Sequence, residues 1–374
     1  MKEFSRSLFP FGRNAIKPHP LFTAFRILLC VLGVLLAMPL LGFVAFAVGA
    51  PITASGLAYL AGALLLAAGL ILAPWKRRLF PALALGGPLL VVLVAGTRLV
   101  LAGRAEASGL KMIVLPQGTG TRWVDTLVDE QDTLIFGEKI LYSLGGVSSN
   151  EDQGISAALA AAYAGMRRAH PVFPSPVLST YLGLEGPSSS DAVVIEPEAG
   201  GPPRVGVVFL HGWMGNVTLQ CWQIARAAQA VGAVTVCPST VWTGDWNQPS
   251  GKTIVQDDLD YLRRRGIQKL YLGGYSNGGF GVSQLAPGLV TDHELQGLFF
   301  ISGISNGAAL GALGLPILIL QDSRDERVPA AVSRQAAAAI GPQATYVEIE
   351  GDHFLIMKRP DPVQAAIRAW LENH

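Results

Sequence analysis

Charged residues and cysteines are both scarce in this sequence. Lys, Arg, Asp and Glu make up 15% of the chain, and the formal net charge is +1. This balance favours neither nucleic acid nor an acidic partner. The three cysteines form no metal-ligand cluster, so we expect no metal and no cofactor. Two of them, Cys221 and Cys237, flank one predicted helix-and-strand unit, and they form either a disulfide or two buried free thiols.

Charge is absent altogether from the stretch between Ile27 and Trp75. About 20 helical residues cross the hydrocarbon core of a bilayer, so this stretch is too long for one span. Pro51 marks a natural break, which predicts spans near residues 27–50 and 55–74. The apolar length also argues against a cleaved signal peptide.

A third apolar segment covers residues 79–101 and contains Gly86-Gly87-Pro88. Arg98, near its far end, can reach the membrane interface with its long side chain, so this charge does not prevent crossing. We therefore predict a multi-pass protein of the cell membrane, with three spans in a transmembrane region over residues 27–103. If the Gly-Gly-Pro segment does not cross, two spans remain.

Basic residues predict the orientation of the spans. They precede the first span and follow the second, so the positive-inside rule places residues 1–26 in the cytoplasm as an amino-terminal segment. Three spans then put the rest of the chain outside the cytoplasm, and two spans would put it inside. The basic residues are Lys2, Arg6, Arg13, Lys17, Arg26, Lys76, Arg77 and Arg78.

The most informative motif is Gly-Tyr-Ser-Asn-Gly at residues 274–278, centred on Ser276, between an apolar run and a helix-compatible stretch. A strand that feeds a helix through one serine forces a strained turn, and the flanking glycines relieve the crowding. The serine hydroxyl is thereby exposed beside a helix amino terminus, which suits a nucleophile. The same pattern recurs around Ser305, but a glycine-broken stretch follows it, so we interpret Ser305 as a polar residue that ends a core strand.

Candidate partners of Ser276 follow two later predicted strands. Asp325 lies in the loop after an all-apolar strand, and His353 follows the last strand. An imidazole can take the serine proton near neutral pH, and a buried carboxylate fixes the imidazole tautomer. Asp322 and Asp352 compete with Asp325. We favour Asp325, since Asp322 lacks the loop needed to reach the histidine and Asp352 is its sequence neighbour.

The other histidines are weaker candidates. His19 precedes the apolar segments, and His374 is the last residue. His170 and His293 have polar, loop-like surroundings and are interpreted as surface residues. His211 ends a buried strand and is interpreted as a structural residue that holds the loop after it. His353 is therefore the candidate base.

An oxyanion site is predicted beside these groups. Acyl transfer needs two donors aimed at the developing negative oxygen. The backbone N–H of Asn277 is one candidate, because it follows the nucleophile at a helix start. The loop after His211 supplies the second, most simply from Trp213 and otherwise from Met214.

In their order along the chain, the motifs around His211, Ser276, Asp325 and His353 resemble those of the α/β-hydrolase family of serine hydrolases, which includes esterases and lipases. The resemblance covers about residues 175–374. It implies a mostly parallel eight-stranded α/β sheet flanked by helices, with the site at the carboxyl ends of the strands. Residues 176–182 and 192–195 would form the antiparallel first hairpin.

Members of that family often carry a lid between the sixth and seventh strands, for which residues 303–316 leave little room. The site is therefore expected to be open or roofed by another segment. Residues 104–174 contain two candidate helices, over 124–144 and 155–169. We interpret this region as a spacer packed on the hydrolase domain, and a substitute for the lid is the alternative.

A long loop after the fourth strand adds two aromatic candidates for a substrate pocket, Trp242 and Trp246, beside Met214 and Tyr275. The two tryptophans either line the pocket or pack the loop. The sequence as a whole predicts a membrane-anchored serine hydrolase that cleaves an ester-type bond in a small-molecule or lipid-like acyl substrate. Peptide or thioester cleavage, or a non-enzymatic binding module, are the alternatives, and the oligomeric state is not indicated.

Overall fold

The structure, a computed structural model, describes residues 20–76, 79–105, 109–198, 202–215 and 217–374, without the side chains of residues 104 and 105. Two compact units are present. One holds the described residues up to Phe43 together with Tyr59–Val91, and the other holds Val44–Ala58 and Val92–His374. Predictions about residues 1–19 and about Arg77 and Arg78 lie outside the described residues.

Three long apolar helices come first, at the positions predicted for the three spans. Each is long and apolar enough to cross a membrane. The third continues as one helix through Gly86-Gly87-Pro88. In the first, Arg26 Nε donates a hydrogen bond to the carbonyl oxygen of Ala73, at 2.5 Å. The helices are α1 Pro20–Ala47, α2 Ala54–Leu72 and α3 Leu79–Ala105.

An eight-stranded sheet forms the centre of the second unit. Its strands are β1 Leu110–Leu115, β2 Ser190–Ile195, β3 Val205–Leu210, β4 Ala233–Pro238, β5 Lys269–Tyr275, β6 Leu295–Ile301, β7 Ile317–Asp322 and β8 Ala344–Ile349. Their order is β1-β2-β4-β3-β5-β6-β7-β8. β2 is antiparallel to its two neighbours, and the other pairs are parallel. This order is that of the α/β-hydrolase fold, so the predicted fold class is confirmed.

Residues 116–189, between β1 and β2, form a helical insertion that we call the cap. The helix predicted over residues 124–144 is divided into a 3₁₀ turn and α4, because the side chain of Asp129 caps α4 by accepting the N–H of Gln131 at 3.1 Å. The last long helix of the cap has the predicted bounds. The cap helices are α4 Glu130–Ser143, α5 Ser149–Asp152, α6 Ile155–Ala169 and α7 Val177–Tyr181.

The predicted first hairpin is wrong. Residues 176–182, expected as a strand, contain α7. β2 pairs instead with β1, from Leu110 opposite Ile195 to Leu115 opposite Ser190. β1 is apolar apart from Lys111, and its side chains pack into the cores on both faces of the sheet. The sheet therefore begins at Leu110, and the predicted division into a spacer over 104–174 and a hydrolase domain from residue 175 does not hold.

The remaining helices cover the two faces of the sheet. α8 and α14 bury their apolar residues against one face, and α9, α10 and α12 do so against the other. Cys221 on α8 and Cys237 on β4 form a disulfide with a Cα–Cα distance of 5.8 Å, which settles the two alternatives. The helices are α8 Val217–Ala228, α9 Pro249–Arg264, α10 Asn277–His293, α11 Gly307–Gly311, α12 Ala330–Ile340, α13 Leu355–Lys358 and α14 Pro360–Glu372.

Candidate active site

Ser276 lies at the junction between β5 and α10 and has a strained backbone, with φ 51° and ψ −118°. A non-glycine residue adopts such a positive φ only when its surroundings hold it there. The turn is tight enough that a Cβ atom at Gly278 would overlap the carbonyl oxygen of Leu210. The sequence after β5 therefore folds into a turn that presents the hydroxyl of Ser276 at the carboxyl edge of the sheet.

His353 joins Ser276 to Asp325 through two hydrogen bonds. Its Nε2 is 2.9 Å from Ser276 Oγ, and its Nδ1 is 2.8 Å from Asp325 Oδ2. The ionised carboxylate can only accept, so Nδ1 donates and Nε2 is free to accept the serine proton. The hydroxyl of Tyr275 donates to the carbonyl oxygen of His353 at 2.8 Å, which fixes the loop that carries the imidazole.

Asp325 is buried, and its other contacts favour the ionised form. Oδ1 accepts the backbone N–H groups of Arg327 and Val328, both at 2.8 Å. Oδ2 also accepts from Nε2 of Gln321 at 3.2 Å. Burial alone would raise the pKa of Asp325, but the bond and charge of His353 and the two N–H groups hold this pKa below its ordinary value. Gln321, near the end of β7, was not predicted as a site residue, because only the folded structure shows its hydrogen bond to Asp325.

The competing candidates lie outside this hydrogen-bonded chain. Asp322 Oδ2 accepts from the hydroxyl of Ser302 at 2.9 Å, and burial raises the pKa of Asp322 to about 7. Asp352 Oδ2 is 2.6 Å from Nζ of Lys358. The backbone N–H of Ser305 donates to Ser283 Oγ at 3.0 Å, in a loop between β6 and α11.

His211 is buried and holds the loop after β3. Its Nδ1 donates to the carbonyl oxygen of Gly212 at 2.6 Å, and its Nε2 accepts the N–H of Thr240 at 3.4 Å. Burial lowers the pKa of His211 to about 4, so this ring is neutral. His170 and His293, interpreted as surface residues, are both buried, so that expectation is wrong. Polar sequence neighbours did not reveal that each ring packs inward.

The oxyanion candidates differ in what their backbone N–H groups contact. The N–H of Met214 donates to the carbonyl oxygen of Trp242 at 2.8 Å and is therefore occupied. The N–H of Trp213 has no acceptor within the described part of the chain. Asn277 is the first residue of α10, where the N–H groups have no acceptor inside the helix. Trp213 and Asn277 thus keep donors available beside Ser276.

A cavity of about 320 Å³ adjoins Ser276 and His353. Most of its wall is apolar, and six of its lining residues come from the cap. The cap therefore covers part of the site, which agrees with the alternative of a lid substitute rather than with the favoured spacer. The lining residues from the cap are Leu134, Glu138, Leu141, Val147, Ile155 and Leu159. The others are Trp213, Met214, Tyr275, Ser276, Asn277, Phe280, Arg327, Val328, His353, Phe354 and Met357.

Two predicted pocket residues do not line this cavity. Trp246 is only 1% exposed, and its Nε1 donates to the carbonyl oxygen of His211 at 2.9 Å, so it packs the loop. Trp242 is 41% exposed and lies against Trp213, with 5.6 Å between the ring centroids. Met214 and Tyr275 do line the cavity.

Glu138 is the acidic group in the cavity wall. Its Oε2 accepts from the hydroxyl of Ser156 at 3.1 Å, and Lys139 Nζ is 3.2 Å from the same oxygen. Burial first, and then a hydrogen bond with Asp152, raise the pKa of Glu138 to about 7. The cap therefore brings a titratable carboxyl into a mostly apolar wall.

No protein-family model matches this sequence, and no curated protein matches it. An α/β serine hydrolase without a lid from Xanthomonas campestris is 16% identical, with 50% of this chain and 89% of that chain covered and a TM-score of 0.39. Est1E from Butyrivibrio proteoclasticus is 15% identical, with 50% of this chain and 94% of that chain covered and a TM-score of 0.43. The carboxylesterase CesB from Bacillus subtilis is 12% identical, with 50% of this chain and 89% of that chain covered and a TM-score of 0.41. These likenesses concern the fold alone.

Proposed function

We propose that this chain is a membrane-anchored serine hydrolase that cleaves an ester-type bond through an acyl-enzyme intermediate. The observation that carries the proposal is the hydrogen-bonded chain from Ser276 Oγ to His353 Nε2, at 2.9 Å, and from His353 Nδ1 to Asp325 Oδ2, at 2.8 Å. A nucleophile, a base within bonding reach and a carboxylate that orients the base are the groups that serine acyl transfer uses.

In the first half of the proposed reaction, His353 Nε2 takes the hydroxyl proton as Ser276 Oγ attacks the carbonyl carbon of the ester. The carbonyl oxygen becomes an oxyanion, and the backbone N–H groups of Trp213 and Asn277 donate to it. The carboxylate of Asp325 stabilises the imidazolium. The intermediate then expels the alcohol, which receives the proton from Nε2, and the acyl group remains on Ser276.

In the second half, a water molecule attacks the acyl carbon while His353 Nε2 takes a proton from it. The second tetrahedral intermediate breaks its bond to Ser276 Oγ, and the proton on Nε2 returns to that oxygen. The products are a carboxylic acid and the regenerated side chains, so one water is consumed for each ester cleaved.

An apolar acyl chain suits the cavity wall, where leucine, isoleucine, phenylalanine and methionine side chains surround the serine. The three apolar helices support an anchor in the membrane, where such substrates accumulate.

We place the catalytic unit outside the cytoplasm, on the cell membrane. The basic residues beside the first two apolar helices and the disulfide of Cys221 and Cys237 support this side. Proteolysis of sealed vesicles of known orientation tests it, since digestion from the cytoplasmic face alone would reverse the assignment.

A fluorophosphonate probe tests the proposed chemistry, because it reacts with activated serines. We expect labelling of the full chain in detergent or nanodiscs, loss of labelling in Ser276→Ala, and unchanged labelling in the matched control Ser305→Ala. A series of p-nitrophenyl esters then measures the preferred acyl length. Labelling that survives in Ser276→Ala overturns the assignment of the nucleophile, and no labelling at all favours the binding module.

A further inference from the structure

Glu151, in the cap, contacts both loops that carry the partners of Ser276. Its side chain is 5% exposed and belongs to α5. A capping box fixes its rotamer, since Ser148 N–H donates to Glu151 Oε2 at 2.9 Å and Glu151 N–H donates to Ser148 Oγ at 3.3 Å. Contacts within the cap alone therefore hold this carboxylate in one position.

The first contact is a two-point ion pair with Arg327. Nε of Arg327 lies 2.6 Å from Oε1 of Glu151, and Nη2 lies 3.0 Å from Oε2. The same Nη2 donates to the carbonyl oxygen of Gly146 at 2.7 Å. The backbone N–H of Arg327 donates to Asp325 Oδ1, so a residue clamped to the cap also holds the carboxylate.

The second contact reaches the histidine loop. The carbonyl oxygen of Glu151 accepts from Nζ of Lys358 at 2.7 Å, and the same Nζ is 2.6 Å from Oδ2 of Asp352, the residue before His353. The cations of Arg327 and Lys358 also lie 5.5 and 5.9 Å from the ring centroid of Phe354, the residue after His353.

From this geometry we propose that Glu151 is a positioning residue, which holds Asp325 through Arg327 and His353 through Lys358 when the cap is in place. The proposal rests on the proposed function, since it concerns the same three side chains. Glu151 touches no reacting atom. Burial would raise the pKa of Glu151, but Arg327 and the N–H of Ser148 hold it below its ordinary value, so the carboxylate is ionised at neutral pH.

The test compares Glu151→Gln with Glu348→Gln in the full chain. Glu348 forms a similar two-point pair with Arg334, at 2.6 and 2.9 Å, but does not line the cavity. For Glu151→Gln we expect kcat for p-nitrophenyl acetate and the rate of fluorophosphonate labelling to fall about 10- to 100-fold, as for a misaligned general base. The pH profile of labelling should shift, while KM changes less than about threefold. The control should stay within about twofold of the unaltered protein.

Two outcomes would overturn the proposal. A raised KM with unchanged kcat and labelling would mean that Glu151 only shapes the pocket. An equal loss of kcat and labelling in Glu348→Gln would mean that both variants are partly unfolded. If the unaltered protein is not labelled, the proposed function fails, and positioning is then read from the ¹H–¹⁵N signal of His353 Nδ1. That signal should shift or broaden in Glu151→Gln alone, and an unchanged signal refutes the proposal.

Discussion

The carboxylate of Glu130, in the cap, lies at the amino terminus of α8, 2.9 Å from the backbone N–H of Leu219. It also accepts the N–H of Thr218 at 3.0 Å and the hydroxyl of Tyr163 at 2.8 Å. Burial raises the pKa of Glu130, while the positive end of the helix and its unpaired N–H groups favour the ionised form. Since α8 follows the loop of Trp213, this contact ties the roof of the cavity to the candidate oxyanion site.

Replacement of Glu130 should destabilise the protein strongly. Glu130→Ala removes the acceptor from several buried donors, and we expect a loss of about 3–5 kcal/mol in the free energy of unfolding. Glu130→Gln keeps one acceptor oxygen and should lose about half as much. Thermal unfolding in nanodiscs measures both, with the exposed Glu372→Gln as a control near zero. Equal stability of the alanine variant and the control would contradict the role given to this carboxylate.

A second prediction concerns Asp322, whose pKa is raised by burial from 3.8 to about 7. Because the folded chain binds this proton more tightly than the unfolded chain, the stabilisation is complete below pH 3.8 and is lost as the pH rises to about 7. Asp322→Asn mimics the protonated group and can still accept from Ser302. It should match the unaltered protein at pH 4 and exceed it by about 2–4 kcal/mol at pH 8.

Melting temperatures across this pH range measure the effect of Asp322→Asn. The exposed Asp292→Asn serves as the control for replacing a carboxylate at the surface. A pH-independent difference for Asp322→Asn would mean that folding does not raise the pKa of Asp322.

The sequence predicted the parallel strands and the motif loops well, because each is a local pattern. The apolar run that became β7 and the glycine-flanked Ser276 need no knowledge of distant residues. β1 could not be recognised in this way. Its partner β2 lies across the whole cap, and its apolar residues follow directly on an apolar helix. A strand of this kind is defined by its pairing, which local sequence does not contain.

The sequence predicted the three side chains that the structure brings together in the candidate site, but not the residues that support them. Ser276, Asp325 and His353 could be named from order and spacing. Gln321, Glu130 and Glu151 act through contacts with residues far away in the sequence, so a single sequence shows them only as ordinary polar residues. For the same reason the tryptophans of the long loop were open to two interpretations until their neighbours were known.

The disulfide of Cys221 and Cys237 should contribute measurably to stability. It closes a loop with a sequence separation of 16, for which the chain-entropy estimate is about 3 kcal/mol. The double replacement Cys221→Ala and Cys237→Ala, or treatment with a reductant, should lower the melting temperature. Cys30→Ala, in α1, is the control, because it removes a cysteine outside the disulfide and should melt at the same temperature as the unaltered protein. Equal melting temperatures with and without reductant would show that the bond adds nothing.

The last prediction concerns Thr53, in the loop between α1 and α2. Its backbone N–H and its hydroxyl donate to the two carboxylate oxygens of Asp132, at 2.7 and 2.5 Å. Asp132 lies in the first turn of α4, the helix that supplies Leu134 to the cavity. Thr53→Val removes the hydroxyl and leaves one oxygen of a buried carboxylate unpaired, which should cost about 1–3 kcal/mol.

We therefore expect faster amide exchange in α4 of Thr53→Val and a lower kcat/KM for long acyl esters, whose chains contact the cap. Hydrogen exchange by mass spectrometry and the ester series measure the two effects. Thr253→Val is the matched control, because the hydroxyl of Thr253 also donates to a nearby group, the carbonyl oxygen of Pro249 at 3.3 Å, away from the cap. If α4 exchanges equally in both variants, the loop between α1 and α2 does not hold the cap, and a fragment without the apolar helices should keep its pocket intact.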